Sequence, residues 1–168
     1  MKGKWAEGIR PRNFAWVIKG RLAVCERPGG NGANHRRVRR QEEIIWLRQQ
    51  DFDLVVSLIN APHNLHNYEE LGLPYLHRPF PPVDDVLGAQ VAIYRELRDV
   101  LGEGRRVIVH GEEVGDMITG LIAGYLVWTG LVAEQPRAVA FTERIFERPL
   151  GSRGREYVVA AANLVGHA

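Results

Sequence analysis

The sequence predicts an α/β fold: a mainly parallel central sheet flanked by helices on both faces, in a single domain covering residues 1–168. Three observations carry that prediction. Short apolar runs rich in β-branched residues alternate with amphipathic stretches of helical length, the pattern of parallel strands joined by crossover helices. A length of 168 residues suits one domain and is enough to bury a substantial core. With 45% hydrophobic and 25% charged residues, the composition is neither collagen-like nor that of a disordered chain.

The elements follow in order. Phe14, Trp16 and Ile18 alternate, Lys19-Gly20 supplies a turn, and Leu22-Ala23-Val24 follows, so residues 13–25 read as strand–turn–strand. Pro28-Gly29-Gly30-Asn31-Gly32 is a loop. Residues 36–50 form an amphipathic helix with Ile44, Ile45, Trp46 and Leu47 on its apolar face. The run FDLVVSLI at 52–59 has the pattern of a buried parallel strand. Residues 60–70 are polar and read as irregular, and 73–78 read as another short strand. Prolines at 79, 81 and 82 break the chain before a helix at 86–101, with Val91, Ile93, Tyr94 and Leu97 inward. RVIVH at 106–110 is a strand, 117–133 a long apolar helix, and 134–147 and 157–165 are helices around a loop at 148–155. The 117–133 stretch carries no charge, but with Thr119, Thr129 and three glycines it falls short of the roughly 20 apolar residues a spanning helix needs. It reads as a buried helix whose Gly120 and Gly124 permit close helix–sheet approach.

Charge and cysteine content narrow the function classes. One cysteine, Cys25, excludes an internal disulfide framework and any Cys-rich zinc module. Residues 1–20 lack the unbroken apolar run of a signal peptide, so the expected location is cytoplasmic, with no membrane partner. The net charge of +2 hides a segregation: residues 1–50 carry 12 Lys/Arg against 4 Asp/Glu, and the remainder 10 against 16. The densest basic run is His35-Arg36-Arg37-Val38-Arg39-Arg40. Gln41-Glu42-Glu43 follows and can pair with arginines one helical turn back, so the run reads first as a solvated helix face. The sharper reading, binding of RNA or another polyanion through Arg36–Arg40, is the less favoured one because no aromatics interleave for base stacking.

In a parallel α/β sheet, ligands sit beyond the carboxyl ends of strands, at the start of the following helix. The best such junction runs from the strand ending at His110 through Gly111, Glu112, Glu113, Val114, Gly115 and Asp116 to the helix at Met117. Loops of this shape cradle anions through backbone N–H groups. Around it the chain resembles the cysteine-based dual-specificity protein phosphatases, especially their small atypical single-domain members. The resemblance rests on Asn13-Phe14-Ala15-Trp16-Val17-Ile18 with Gly20-Arg21-Leu22-Ala23, on Val56-Ser57-Leu58, and on Pro81-Pro82-Val83-Asp84-Asp85 where that family carries its general-acid loop. It rests also on Val109-His110 and Leu121-Ile122-Ala123-Gly124-Tyr125-Leu126 flanking the loop, and on Arg148-Pro149 before the last helix. What it implies is a protein tyrosine phosphatase-like fold with a phosphate-binding loop at residues 110–117.

The reactive groups that the resemblance implies are absent. The family motif is His-Cys, five residues, then Arg-Ser or Arg-Thr; aligned on His110, the nucleophile position is Gly111, the arginine position Met117 and the Ser/Thr position Ile118. Gly111 cannot form a phosphocysteine intermediate, and Met117 offers no bidentate clamp. Glu112, Glu113 and Asp116 add carboxylates; one charge pair about 5 Å apart at an effective dielectric near 20 repels by roughly 3 kcal/mol. Their plainest role is to cap the free N–H groups of the helix at 117. Their sharper one, with Asp84 or Asp85 contributing, is to hold a divalent cation such as Mg²⁺ or Ca²⁺; no other cofactor is expected. Asp84 and Asp85 stand at the general-acid position, but as a turn or N-cap for the helix at 86 they have an ordinary use too. His63 and His66 have H-x-x-H spacing in a loop with no further ligand pair, and read as surface residues. Cys25 ends an apolar strand and reads as a small buried hydrophobe. The functional expectation is therefore a pseudophosphatase with a degenerate phosphate loop that binds a protein partner or small ligand. The alternatives are metal-assisted phosphatase chemistry on the same fold, or a polyanion-binding module.

Overall fold

A computed structural model describes residues 8–30 and 36–165. The chain divides into two compact units, residues 1–80 with 100–113 and residues 81–99 with 114–168. Its elements are β1 (Ala15–Ile18), β2 (Leu22–Cys25), α1 (Arg37–Gln49), β3 (Leu54–Ser57), α2 (Leu65–Glu70), β4 (Tyr75–His77), α3 (Val86–Gly102), β5 (Val107–His110), α4 (Asp116–Thr129), α5 (Gln135–Phe146) and α6 (Ser152–Leu164).

The first unit holds all five strands, in the order β1-β2-β5-β3-β4. The sheet is mixed but mostly parallel: β1 and β2 pair antiparallel, and every other pair is parallel. The central strands β2, β3 and β5 are buried along their whole length, which is why they appear in the sequence as unbroken apolar runs. Register places Ala23, Ile108 and Val55 side by side across three strands. They form a core with Ile44 and Leu47 of α1, Tyr68 of α2 and Phe52. Because side chains alternate along a strand, the residues two further on share that face. Cys25, His110, Ser57 and His77 therefore line up in one row at the carboxyl ends of β2, β5, β3 and β4. At the other end Trp16 stacks on Phe52 with ring centroids 5.4 Å apart, and Phe14 meets Trp16 and Trp46 edge-on.

The expectation of an irregular segment over 60–70 is corrected by α2. Asn64, at φ 74° and ψ −18°, turns the chain into this short helix, and Tyr68, fully buried, anchors it. Its single apolar anchor per turn is too faint a pattern to read as a helix.

The second unit consists of helices. α4 is buried from Ile118 through Trp128 and stops at Gly130, whose φ of 80° suits a left-handed cap, four residues short of the expected end. Gly120 and Gly124 do permit close approach, but to a helix: a Cβ on Gly120 would fall on the backbone of Gly154 in α6, and one on Gly124 would meet Tyr157 O at 3.0 Å. The expected helix–sheet role of these glycines is thus replaced by helix–helix packing. Tyr94 in α3 donates to Leu121 O at 2.7 Å, and Gln90 donates to both Tyr94 Oη and Tyr157 O at 2.9 Å. α6 begins at Ser152, not 157, so the expected 148–155 loop is shorter by about one helical turn. Among the described residues no helix is long and apolar enough to cross a membrane.

Candidate functional site

β5 ends at His110, which is fully buried. Its Nδ1 lies 3.0 Å from Gly111 O, an atom that can only accept, so Nδ1 carries the hydrogen. Nε2 is then the acceptor for the Tyr68 hydroxyl at 2.8 Å. Burial, with the charges of Arg27 and His77 adding to it against the Gly111 hydrogen bond, pushes the His110 pKa down to about 4. The imidazole is therefore neutral at physiological pH. Burial likewise pushes the Tyr68 hydroxyl far above its ordinary range, so it remains a donor.

The network continues within the first unit. Asn64 donates through Nδ2 to Pro28 O at 2.8 Å and, more weakly, to Tyr68 Oη at 3.4 Å. Its Oδ1 accepts from Arg27 Nε at 3.2 Å. Arg27 Nη1 faces Glu112 Oε2 at 3.4 Å, and the Arg27 backbone N–H points to Glu112 O at 3.4 Å. Glu112 is thus drawn to an arginine. Arg27, Asn64 and Tyr68 were not singled out by sequence reading, and nothing in their local pattern marks them.

In the second unit the same loop runs from Val114 into α4. Gly115 is the N-cap residue and provides no side-chain cap, and Thr119 Oγ1 donates to Gly115 O at 2.9 Å. Asp116, expected to cap α4, serves another helix: Oδ2 accepts from Gly154 N–H at 2.8 Å and Oδ1 from Gly151 N–H at 2.5 Å, at the start of α6. The carboxylate stands where α6's free N–H groups need an acceptor. Arg148 donates to Val114 O at 3.3 Å. Met117, half-buried, brings no donor to the loop.

The remaining candidates have ordinary uses. Asp85, at φ 52°, caps α3, its Oδ1 accepting from Gly88 N–H at 3.0 Å. Asp84 and Val83 are exposed, the latter almost completely. His63 and His66 are on the surface, and His66 faces Glu70 at 3.0 Å. Among the described residues no three of His, Cys, Asp and Glu are grouped so as to hold a metal ion, which gives the less favoured cation reading of Glu112, Glu113 and Asp116 no support. On α1, Arg39 pairs with Glu43 at 3.6 Å, the one-turn pairing read from the sequence; His35, the first residue of the basic run, lies outside the described residues. Cys25 is completely buried, and burial, then the charges of Glu43 and Glu26, push its thiol well above the ordinary value. It is held as an uncharged thiol, the opposite of an activated nucleophile.

No family model and no curated protein matches the sequence. Solved structures do match. The chain is similar to kinase associated phosphatase carrying a serine in place of its catalytic-site cysteine, with a TM-score of 0.76 at 15% identity, over 94% of this chain and 98% of that one. Tk-PTP in its active form matches with a TM-score of 0.68 at 20% identity, over 88% and 95%. A human tyrosine phosphatase-like serine/threonine/tyrosine-interacting protein matches with a TM-score of 0.64 at 14% identity, over 92% and 96%. The fold is that of the protein tyrosine and dual-specificity phosphatases.

Proposed function

We propose that this chain uses the phosphatase fold for binding and not for cysteine-based hydrolysis. The observation that carries the reading is the residue after His110: a fold whose chemistry needs a thiolate there has Gly111, which has no side chain. Two further facts support it. Met117 replaces the arginine that would grip phosphate, and the chain's one thiol, on Cys25, is buried and held protonated. Neutral His110 fits the same reading, because it is occupied on both nitrogens by Tyr68 and Gly111. A tyrosine phosphatase-like serine/threonine/tyrosine-interacting protein with the same fold supports such a use. The metal-assisted alternative draws no support from Glu112 and Asp116, whose carboxylates are engaged by Arg27 and by the start of α6.

The test is turnover of an aryl phosphate by the unmodified chain and by the double variant Gly111→Cys, Met117→Arg. The unmodified chain is expected to show no turnover above buffer, with or without added Mg²⁺. Robust hydrolysis by it would overturn the reading, whatever the double variant does.

A further inference from the structure

β4 is an edge strand with β3 on one side only. Val55 stands opposite Tyr75 and Ser57 opposite His77; the Val55 N–H donates to Pro74 O at 2.9 Å and the Arg78 N–H to Ser57 O at 2.8 Å. This parallel ladder turns both backbone groups of Leu76 toward β3, so those of Tyr75 and His77 point away from the sheet. His77 O accepts from Arg78 Nη1 at 2.9 Å. Among the described residues nothing pairs with the N–H and C=O of Tyr75 or with the N–H of His77. An edge left open in this way is a template for one more strand.

A second feature adjoins it. An open concavity of about 480 Å³, lined by Tyr68, Glu69, Gly72, Leu73, Pro74 and Tyr75, leads up to the start of β4. Tyr68 and Leu73 are buried, and Glu69 is exposed. The Tyr75 hydroxyl donates to Glu69 Oε1 at 2.7 Å, so a side chain of similar length standing beside Tyr75 reaches the same carboxylate. Among the described residues no cation pairs with Glu69.

These two features select a partner. In an antiparallel addition the residue opposite Tyr75 exchanges both backbone bonds with it and stands on the same face, with Cβ atoms about 5 Å apart. An arginine there lays its apolar stem along the Tyr75 ring and brings its guanidinium to Glu69. Pairing of this edge with its own copy is disfavoured, because the same geometry gathers two Glu69 carboxylates on one face. We propose that the β4 edge is a docking site for an extended peptide segment of a partner protein, antiparallel to β4, with an arginine opposite Tyr75 that pairs with Glu69. The site uses no residue of the loop after β5, so it stands whether or not that loop hydrolyses phosphate.

Fluorescence anisotropy tests it with a short dye-labelled peptide of alternating threonine and valine carrying one central arginine, against the same peptide with glutamate at that position. The arginine peptide is expected to bind about tenfold more tightly or better. Glu69→Arg, a change at an exposed position, is expected to reverse that order. Methylating the peptide nitrogen of the arginine, whose N–H faces Tyr75 O, should weaken binding about tenfold. Methylating the next nitrogen, which faces away, should leave binding within about twofold. The methylated peptides leave the protein unchanged, so they decide the register even if Glu69→Arg does not fold. No saturable binding of the arginine peptide up to about 1 mM would overturn the site. Equal affinities for the two peptides, or equal effects of the two methylations, would overturn it too. A stable dimer in sedimentation that excludes the peptide would give the edge to a second copy and overturn it likewise.

Discussion

His110 makes the stability of this protein depend on pH in a way that can be calculated. Its pKa in the folded chain is about 4, against an ordinary histidine value of 6.5. The unfolded chain therefore takes up a proton below pH 6.5 that the folded chain refuses until about pH 4, and stability falls as pH falls through that window. Linkage gives a loss of about 2 kcal/mol between pH 7 and pH 5, and about 3 kcal/mol by pH 4. The interval from 7 to 5 is the informative one, because ordinary carboxylates titrate below it. Urea unfolding at half-unit steps, on the wild type and on His110→Gln, isolates the effect; glutamine can still accept from Tyr68 but does not titrate. The wild-type curve should fall by about 2 kcal/mol more than the variant's over that interval. Parallel curves would refute the argument, because they would mean that His110 is not kept neutral by its burial between Tyr68 and Gly111.

Three other outcomes follow from geometry. Gly120→Ala places a methyl group against the Gly154 backbone, where no flexible atom can yield; thermal unfolding should show a loss of about 1–3 kcal/mol, and an unchanged Tm would contradict the α4–α6 packing. Asp116→Ala removes the acceptor for Gly151 and Gly154 N–H; a loss of about 1–2 kcal/mol in denaturant unfolding is expected, with helix protection in hydrogen exchange falling first at the start of α6. Cys25 should react with an aromatic disulfide reagent only at the rate of opening, so that native protein labels far more slowly than protein in urea; rapid native labelling would contradict its burial.

What the sequence made legible was whatever is governed by local pattern. β3 and β5 were visible because strands buried on both faces are apolar runs, β2 because a Lys19-Gly20 turn sets it off from β1, and α3 because its apolar residues recur at helical spacing. Gly111 and Met117 could be set against the family motif because a fixed spacing from His110 is a one-dimensional fact. The true start of α6 was not, because it is set by Asp116, 35 residues earlier in the chain. The fate of the loop carboxylates was equally hidden. Glu112 is claimed by Arg27, 85 positions away, and Arg27 by Asn64, 37 positions away. A capping rule applied to neighbours sends Asp116 to α4; only the folded chain brings α6 to it.

Asp116 has a consequence for how such a loop changes over time. Its negative charge opposes an anion in the loop, so neutralising it looks like a simple step toward anion binding. Yet the same oxygens close the open end of α6 through Gly151 and Gly154. A lineage, or an engineer, that removes the charge first gives up part of the helix before gaining any function, and a chain with only a few kcal/mol in reserve can lose its native state on the way. The order of substitutions then matters: α6 must acquire a neutral cap before Asp116 is released. Asp116 can therefore be released only by a coordinated pair of changes, one at the loop and one at the start of α6.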